Sequence, residues 1–179
     1  MITDVERYYS KADVVSFAFD HEKARMDKGD IKKKDIIFNY RYAGGDVAVY
    51  EVTGKQLKEY MNWSANYFDT IQPGDTEYRY NAERKKSKYV TFDIVGGVSY
   101  NIDLRKPSGE KIVDLKLADG TPVTDDMKIK LGMNSYRFGQ MTKKGGIWEG
   151  QQIPTLWESK VAMGQEKGAI QNMMIDYIS

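Results

Sequence analysis

The sequence predicts an α+β domain, and three observations carry that prediction. Short runs such as Asp46 to Val52 alternate polar and apolar residues with the period of a half-buried strand. A capping signal at Thr53 and Gln56 opens an apolar stripe at helical spacing. Strands and helices are segregated along the chain more than they alternate.

Taken in order, Ala12 to Phe19 reads as a buried strand, followed by a charged loop from Asp20 to Gly29. Asp30 is placed to cap a short helix running through Lys32 to Phe38, with the lysine triplet on its solvated face. Tyr42-Ala43-Gly44-Gly45 is a turn leading into the strand that ends at Val52. The helix after Thr53 carries Leu57, Tyr60, Met61, Tyr67 and Phe68 on one stripe. Residues 69–88 are polar, contain Pro73-Gly74 and end on a basic run, which predicts a surface excursion. Strands are predicted at Val90 to Val95, Val98 to Leu104, Ile112 to Leu117 and Met127 to Met133, punctuated by Gly96-Gly97, Pro107-Ser108-Gly109 and Asp119-Gly120. A Gly-containing loop is expected over Asn134 to Gly150, then helices near Thr155–Met163 and Lys167–Ile178.

At 179 residues the chain fits one domain and buries roughly 70% of its unfolded surface, enough for a core without staples. Lys plus Arg (27) nearly cancels Asp plus Glu (26), so no basic excess exists to displace counterions from a nucleic acid. No apolar run reaches membrane-spanning length, and Met1-Ile2-Thr3-Asp4 begins no signal peptide. The absence of cysteine excludes thiol catalysis, disulfides and zinc fingers. Thirteen tyrosines, several near loops, supply stiff amphipathic contact area for a binding surface, although many can simply line strands.

A catalytic centre is not legible. His21 is the one histidine, whereas a two-metal phosphoesterase site needs several imidazoles and carboxylates holding cations about 4 Å apart. Gly54-Lys55 is no phosphate-cradling loop, because Val49 stands where the first glycine belongs and Gln56 where Ser or Thr belongs. Asp125-Asp126 reads as a turn or strand cap, since adjacent side chains point apart. The chain by itself is expected to be inactive and to carry no metal.

Four segments nevertheless resemble a known family. They are Ser10-Lys11-Ala12-Asp13-Val14; Tyr40-Arg41-Tyr42 leading through Val47 to Lys58 with its Thr53-Gly54-Lys55 helix start; Phe92 to Asp103 with Lys106-Pro107; and Asn134-Ser135-Tyr136-Arg137. Together they are similar to the C-terminal domain of the bacterial 5′-nucleotidase family, and most of all to its 2′,3′-cyclic-nucleotide 2′-phosphodiesterase/3′-nucleotidase branch. The resemblance implies mixed and antiparallel sheets flanked by helices, and one nucleotide-binding domain over residues 1–179 that holds base and ribose. Hydrolysis would fall to an N-terminal metallophosphoesterase domain of the same polypeptide, which would carry divalent metal ions and is absent from this chain. It also implies a secreted, periplasmic or wall-associated parent, a nucleotide or nucleoside ligand, and no nucleic-acid or membrane partner.

The resemblance assigns Tyr42 and Tyr136 to the two faces of the base, with Tyr40 the fallback if the longer first loop shifts the register. Gly45, Asp46, Asn134 and Arg137 are the remaining substrate-side candidates. Two segments depart from the family pattern. Phe17 to Arg25 lacks the glycines of the 5′-nucleotidase branch, leaving Lys23 or Arg25 as weak substitutes for its arginine, and Arg137-Phe138-Gly139-Gln140 replaces a Gly-Gly pair. These departures keep open a second expectation, a surface binding module that retained the fold without the ligand.

Overall fold

The computed structural model describes residues 1–18, 23, 25–86 and 92–179. Its strands are β1 (Val14–Ala18), β2 (Ala48–Thr53), β3 (Asp93–Gly96), β4 (Val98–Ile102), β5 (Ile112–Leu117), β6 (Lys128–Met133) and β7 (Thr155–Glu158). Helices are α1 (Ile2–Ser10), α2 (Lys33–Asn39), α3 (Gly54–Ala65), α4 (Ala82–Lys86), α5 (Ser135–Thr142), α6 (Ser159–Met163) and α7 (Ile170–Ile178). Five strands form one sheet in the order β3-β1-β6-β2-β7, and β4 pairs with β5 in a separate hairpin. The β1–β6 pair is parallel and every other pair in the large sheet antiparallel, so that sheet is mixed and the class is α+β.

The sheet divides two apolar clusters, and β2 shows why. Its side chains alternate in direction. Ala48, Tyr50 and Val52 enter a core with Leu57, Tyr60 and Met61 of α3, Leu131 and Met133 of β6, and Trp148. Val47, just before the strand, joins Val5 of α1, Ile36 of α2 and Ile170, Met173 and Met174 of α7 on the other side. Each large side chain so buried contributes about 1.5–3 kcal/mol.

The capping box at the start of α3 forms as the sequence predicts. The Thr53 hydroxyl accepts from the Gln56 amide at 3.1 Å, and Gln56 Oε1 accepts from the Thr53 amide at 2.7 Å. Two more amides of this helix start are also occupied: Gly54 N donates to Met127 O at 2.8 Å and Lys55 N to Asp125 O at 3.0 Å. This N-terminus therefore docks on the 123–127 turn and offers nothing to a phosphate. Asp125 holds Lys58 at 2.7 Å and Asp126 accepts from Thr124, a turn role for both.

Several elements differ from expectation. The first ten residues, where local pattern predicts no element, hold α1. The cap of α2 is Lys32, not Asp30, with Asp35 accepting the Lys32 amide at 2.8 Å. Tyr67 and Phe68 lie beyond the end of α3 and pack on Tyr80 instead. The stretch expected as a loop from Asn134 contains α5, because Asn134 caps it and Phe138 stacks on Tyr50 at 3.6 Å. The glycines of that stretch, Gly139 among them, argue locally for a loop, and long-range packing overrides them. The helix expected over Thr155–Met163 splits into strand β7 and helix α6, since an open edge of β2 recruits Thr155 to Glu158. Phe19, His21 and Val90 lie outside the described residues.

Gly54 is required by space: a Cβ there would sit 1.9 Å from Thr124 O. Gly54→Ala is expected to destabilise the fold by about 1–3 kcal/mol through overpacking. Thermal denaturation against wild type checks it, with an unchanged melting temperature as the contrary result.

Candidate functional site

The site follows from strand pairing. β2 and β6 run antiparallel with Ala48 opposite Met133, so the loop entering β2 and the chain leaving β6 emerge side by side. β1 lies parallel to β6, which brings its end, Phe17 and Ala18, to the same end of the sheet. A cleft of about 580 Å³ opens there, bounded by the 40–46 loop, the start of α5, the end of β1 and Glu6 of α1.

All six residues singled out from the sequence line this cleft: Tyr42, Gly45, Asp46, Asn134, Tyr136 and Arg137. Their roles differ. Tyr42 and Tyr136 are 58% and 50% exposed, while Tyr40 is buried. Tyr40, the fallback, packs on Phe17 and stands edge-on to Tyr42, each at 5.8 Å, as a support beneath the exposed ring. Burial above all pushes the Tyr40 hydroxyl far above the ordinary tyrosine range.

Asp46 and Asn134 fasten the two halves together. Asp46 Oδ1 accepts from the Ser135 hydroxyl at 2.8 Å and its amide at 3.2 Å, while Asn134 Nδ2 donates to Asp46 O at 3.2 Å. Asn134 Oδ1 then caps α5 by accepting the Tyr136 amide at 2.9 Å, which holds the backbone that carries the Tyr136 side chain. Gly45 leaves room for Tyr40, whose hydroxyl would lie 2.1 Å from any Cβ placed there. From the C-terminal side, Lys160 Nζ donates to Gly44 O at 2.6 Å and Gln171 to Tyr40 O at 2.6 Å. The aromatic loop is thus tied down at both ends.

Arg137 reaches the cleft wall, but its guanidinium is engaged by Asp93. Nε lies 2.8 Å from Oδ2 and Nη2 3.2 Å from Oδ1, with the two side chains 9% and 1% exposed. Lys23 and Arg25, offered as phosphate-side substitutes, line a separate depression beside α2. Among the described residues no three His, Cys, Asp or Glu side chains gather as a metal site. No described helix is long and apolar enough to cross a membrane.

Sequence reasoning missed Glu6, Phe17, Ser135, Lys160 and Ile170 of the cleft lining. No local pattern marks them, because they arrive from separate elements of the chain.

A mixed sheet with half-exposed aromatic residues beside the β2 and β6 strand ends defines an α+β fold with one cleft at those ends. The chain belongs to the family described as 5′-nucleotidase, C-terminal domain, whose model matches residues 1–145. It is 28% identical over 124 residues to a Haemophilus influenzae 2′,3′-cyclic-nucleotide 2′-phosphodiesterase/3′-nucleotidase, covering 63% of this chain and 19% of that protein. It is 25% identical over 164 residues to the trifunctional nucleotide phosphoesterase YfkN of Bacillus subtilis, covering 84% and 10%. The chain therefore spans a fifth or less of these curated relatives. Among solved structures, a Staphylococcus aureus protein described as a 5′-nucleotidase, in complex with alpha-ketoglutarate, shares the fold with a TM-score of 0.78 at 24% identity, over 99% of this chain and 32% of that one. A 5′-nucleotidase precursor from Thermus thermophilus does so with a TM-score of 0.68 at 15% identity, over 99% and 31%.

Because Arg137 neutralises buried Asp93, Arg137→Ala is expected to cost about 3–5 kcal/mol by leaving an unpaired charge. Denaturant unfolding reads this out; an unchanged midpoint would mean that the ion pair contributes nothing to the fold.

Proposed function

We propose that this domain holds the base and ribose of a nucleotide while a separate two-metal domain of the same polypeptide hydrolyses the phosphoester. One observation carries the reading: Tyr42 and Tyr136, each half-exposed, line one cleft at the strand ends of the large sheet, on a loop and a helix start fastened together by Asp46. An aromatic face held this way stacks on any base, worth about 1–3 kcal/mol per contact. Two such faces supply much of the roughly 4–8 kcal/mol of millimolar-to-micromolar binding.

Family membership supports a nucleotide ligand, and relatives named as 2′,3′-cyclic-nucleotide 2′-phosphodiesterase/3′-nucleotidases support that substrate class for the parent. Divalent ions belong, in this proposal, to the other domain. The parent is further proposed to be a bacterial protein that acts outside the cytoplasm, a reading that rests on the family resemblance.

The test is titration of adenosine and 3′-AMP against intrinsic Tyr/Trp fluorescence. Wild type should show saturable quenching. Tyr42→Ala and Tyr136→Ala should each weaken binding about tenfold, the equivalent of 1.4 kcal/mol, with little change in melting temperature. Tyr100→Ala serves as the control away from the cleft. Absence of saturable binding in wild type would instead favour a module that kept the fold without the ligand. Purified chain should release no phosphate from 3′-AMP or 2′,3′-cyclic AMP with added divalent metal; release would sink the division of labour proposed here.

A further inference from the structure

Glu6 is the anomaly of the cleft. It lies on α1 at 1% exposure, yet it is a cleft-lining residue alongside Tyr42 and Tyr136. Its Oε2 has no hydrogen-bond partner among the described residues, although buried polar atoms are nearly always paired. A surface residue could leave this oxygen to water at no cost; a buried one cannot. The two cations among the described residues lining the cleft bond elsewhere, Arg137 to Asp93 and Lys160 to Gly44 O. Phe17, Tyr40 and Ile170 line the same cleft and give it an apolar wall.

We propose that the Glu6 carboxyl is the base-reading group of the cleft, pairing with a nucleobase edge that presents an amino donor beside a ring-nitrogen acceptor. This rests on the nucleoside-binding function proposed above and specifies what the stacked base meets at the cleft's inner end. Tyrosine faces bind every base alike, so selectivity has to come from an edge contact. Burial raises the Glu6 carboxyl well above the ordinary carboxylate range, which favours its protonated form. A protonated carboxyl has one donor and one acceptor side by side. That arrangement matches adenine, whose amino group donates to the carbonyl oxygen while an adjacent ring nitrogen accepts from the hydroxyl. Glutamine presents the same pair without a titrating proton, and this makes the idea separable from a charge effect.

The experiment measures affinities of the 179-residue chain, by calorimetry, for adenosine, purine riboside (which lacks the amino donor) and 2′-deoxyadenosine. Wild type should prefer adenosine over purine riboside by about tenfold or more, since a site built to hydrogen-bond a group rejects the analogue lacking it. Glu6→Gln should keep that ratio. Glu6→Leu should bring it close to one without lowering the melting temperature, because an unpaired buried carboxyl is replaced by a hydrocarbon. Should Glu6→Leu fail to fold, Glu6→Met makes the same comparison. A ratio near one in wild type overturns the proposal, as does a ratio unchanged in Glu6→Leu. Loss of preference in Glu6→Gln would show that an anion is needed, and a Glu6-dependent preference for adenosine over 2′-deoxyadenosine would reassign the carboxyl to the ribose; either also overturns it. If wild type binds no nucleoside at all, the nucleoside-binding function itself fails. If the tyrosine variants lose affinity while the Glu6 variants keep their ratios, only this inference fails.

Discussion

Asp93 is the side chain on which the arrangement around the cleft depends. It begins β3, is 2% exposed, and is gripped by partners from separate elements. Arg137 of α5 pairs with both of its oxygens, and the Tyr60 hydroxyl of α3 donates to Oδ2 at 2.5 Å while lying 3.0 Å from Ser16 Oγ of β1. Ser64 accepts from the Asp93 amide at 2.8 Å and donates to its carbonyl at 3.1 Å. A buried charge tolerates this position only with partners in good geometry. The network therefore constrains where α3 and α5 sit relative to the sheet. Burial and the adjacent carboxylate hold the Tyr60 hydroxyl well above its usual range, so it remains a donor.

Arg137 connects that network to the cleft. The residue precedes Phe138, which stacks on Tyr50, and follows Tyr136, whose amide is capped by Asn134. Anchoring one turn of α5 from beneath by a salt bridge and from its start by a side-chain cap leaves Tyr136 little freedom. The opposite lip is made stiff by other means: a buried tyrosine under Tyr42, a glycine that admits it, and Lys160 and Gln171 holding loop carbonyls. Rigid presentation matters because ordering a loop at the moment of binding subtracts from affinity. Trp63 adds a further brace, lying under the guanidinium groups of Arg84 at 4.1 Å and Arg137 at 5.2 Å.

Glu6 stands apart from these satisfied groups. Asp93 is buried and fully partnered, whereas Glu6 is buried with an oxygen that no described residue meets. The contrast between two carboxyl groups in one small domain is the physical basis for assigning structure to the first and recognition to the second.

Local chemistry alone determined the α+β class, the capped helix after Thr53 and most of the strands, while the two aromatic positions were named by the family resemblance. A capping box, a period-two strand and a Gly-rich turn each depend on neighbours within a few residues. Tertiary structure decided what needs a distant partner. Thr155 to Glu158 became a strand because β2 offered an open edge, and Ser135 to Thr142 became a helix because Tyr50 and Asp93 stood ready for Phe138 and Arg137. Arg137 proved to be engaged by a residue 44 positions away, and Tyr40 rather than Tyr42 proved to be the buried support. Glu6 entered the cleft only through the packing of α1 on β1 and α7. Spacing along the chain encodes periodicity and caps, whereas burial and long-range pairing exist only once the sheet has brought separate segments together.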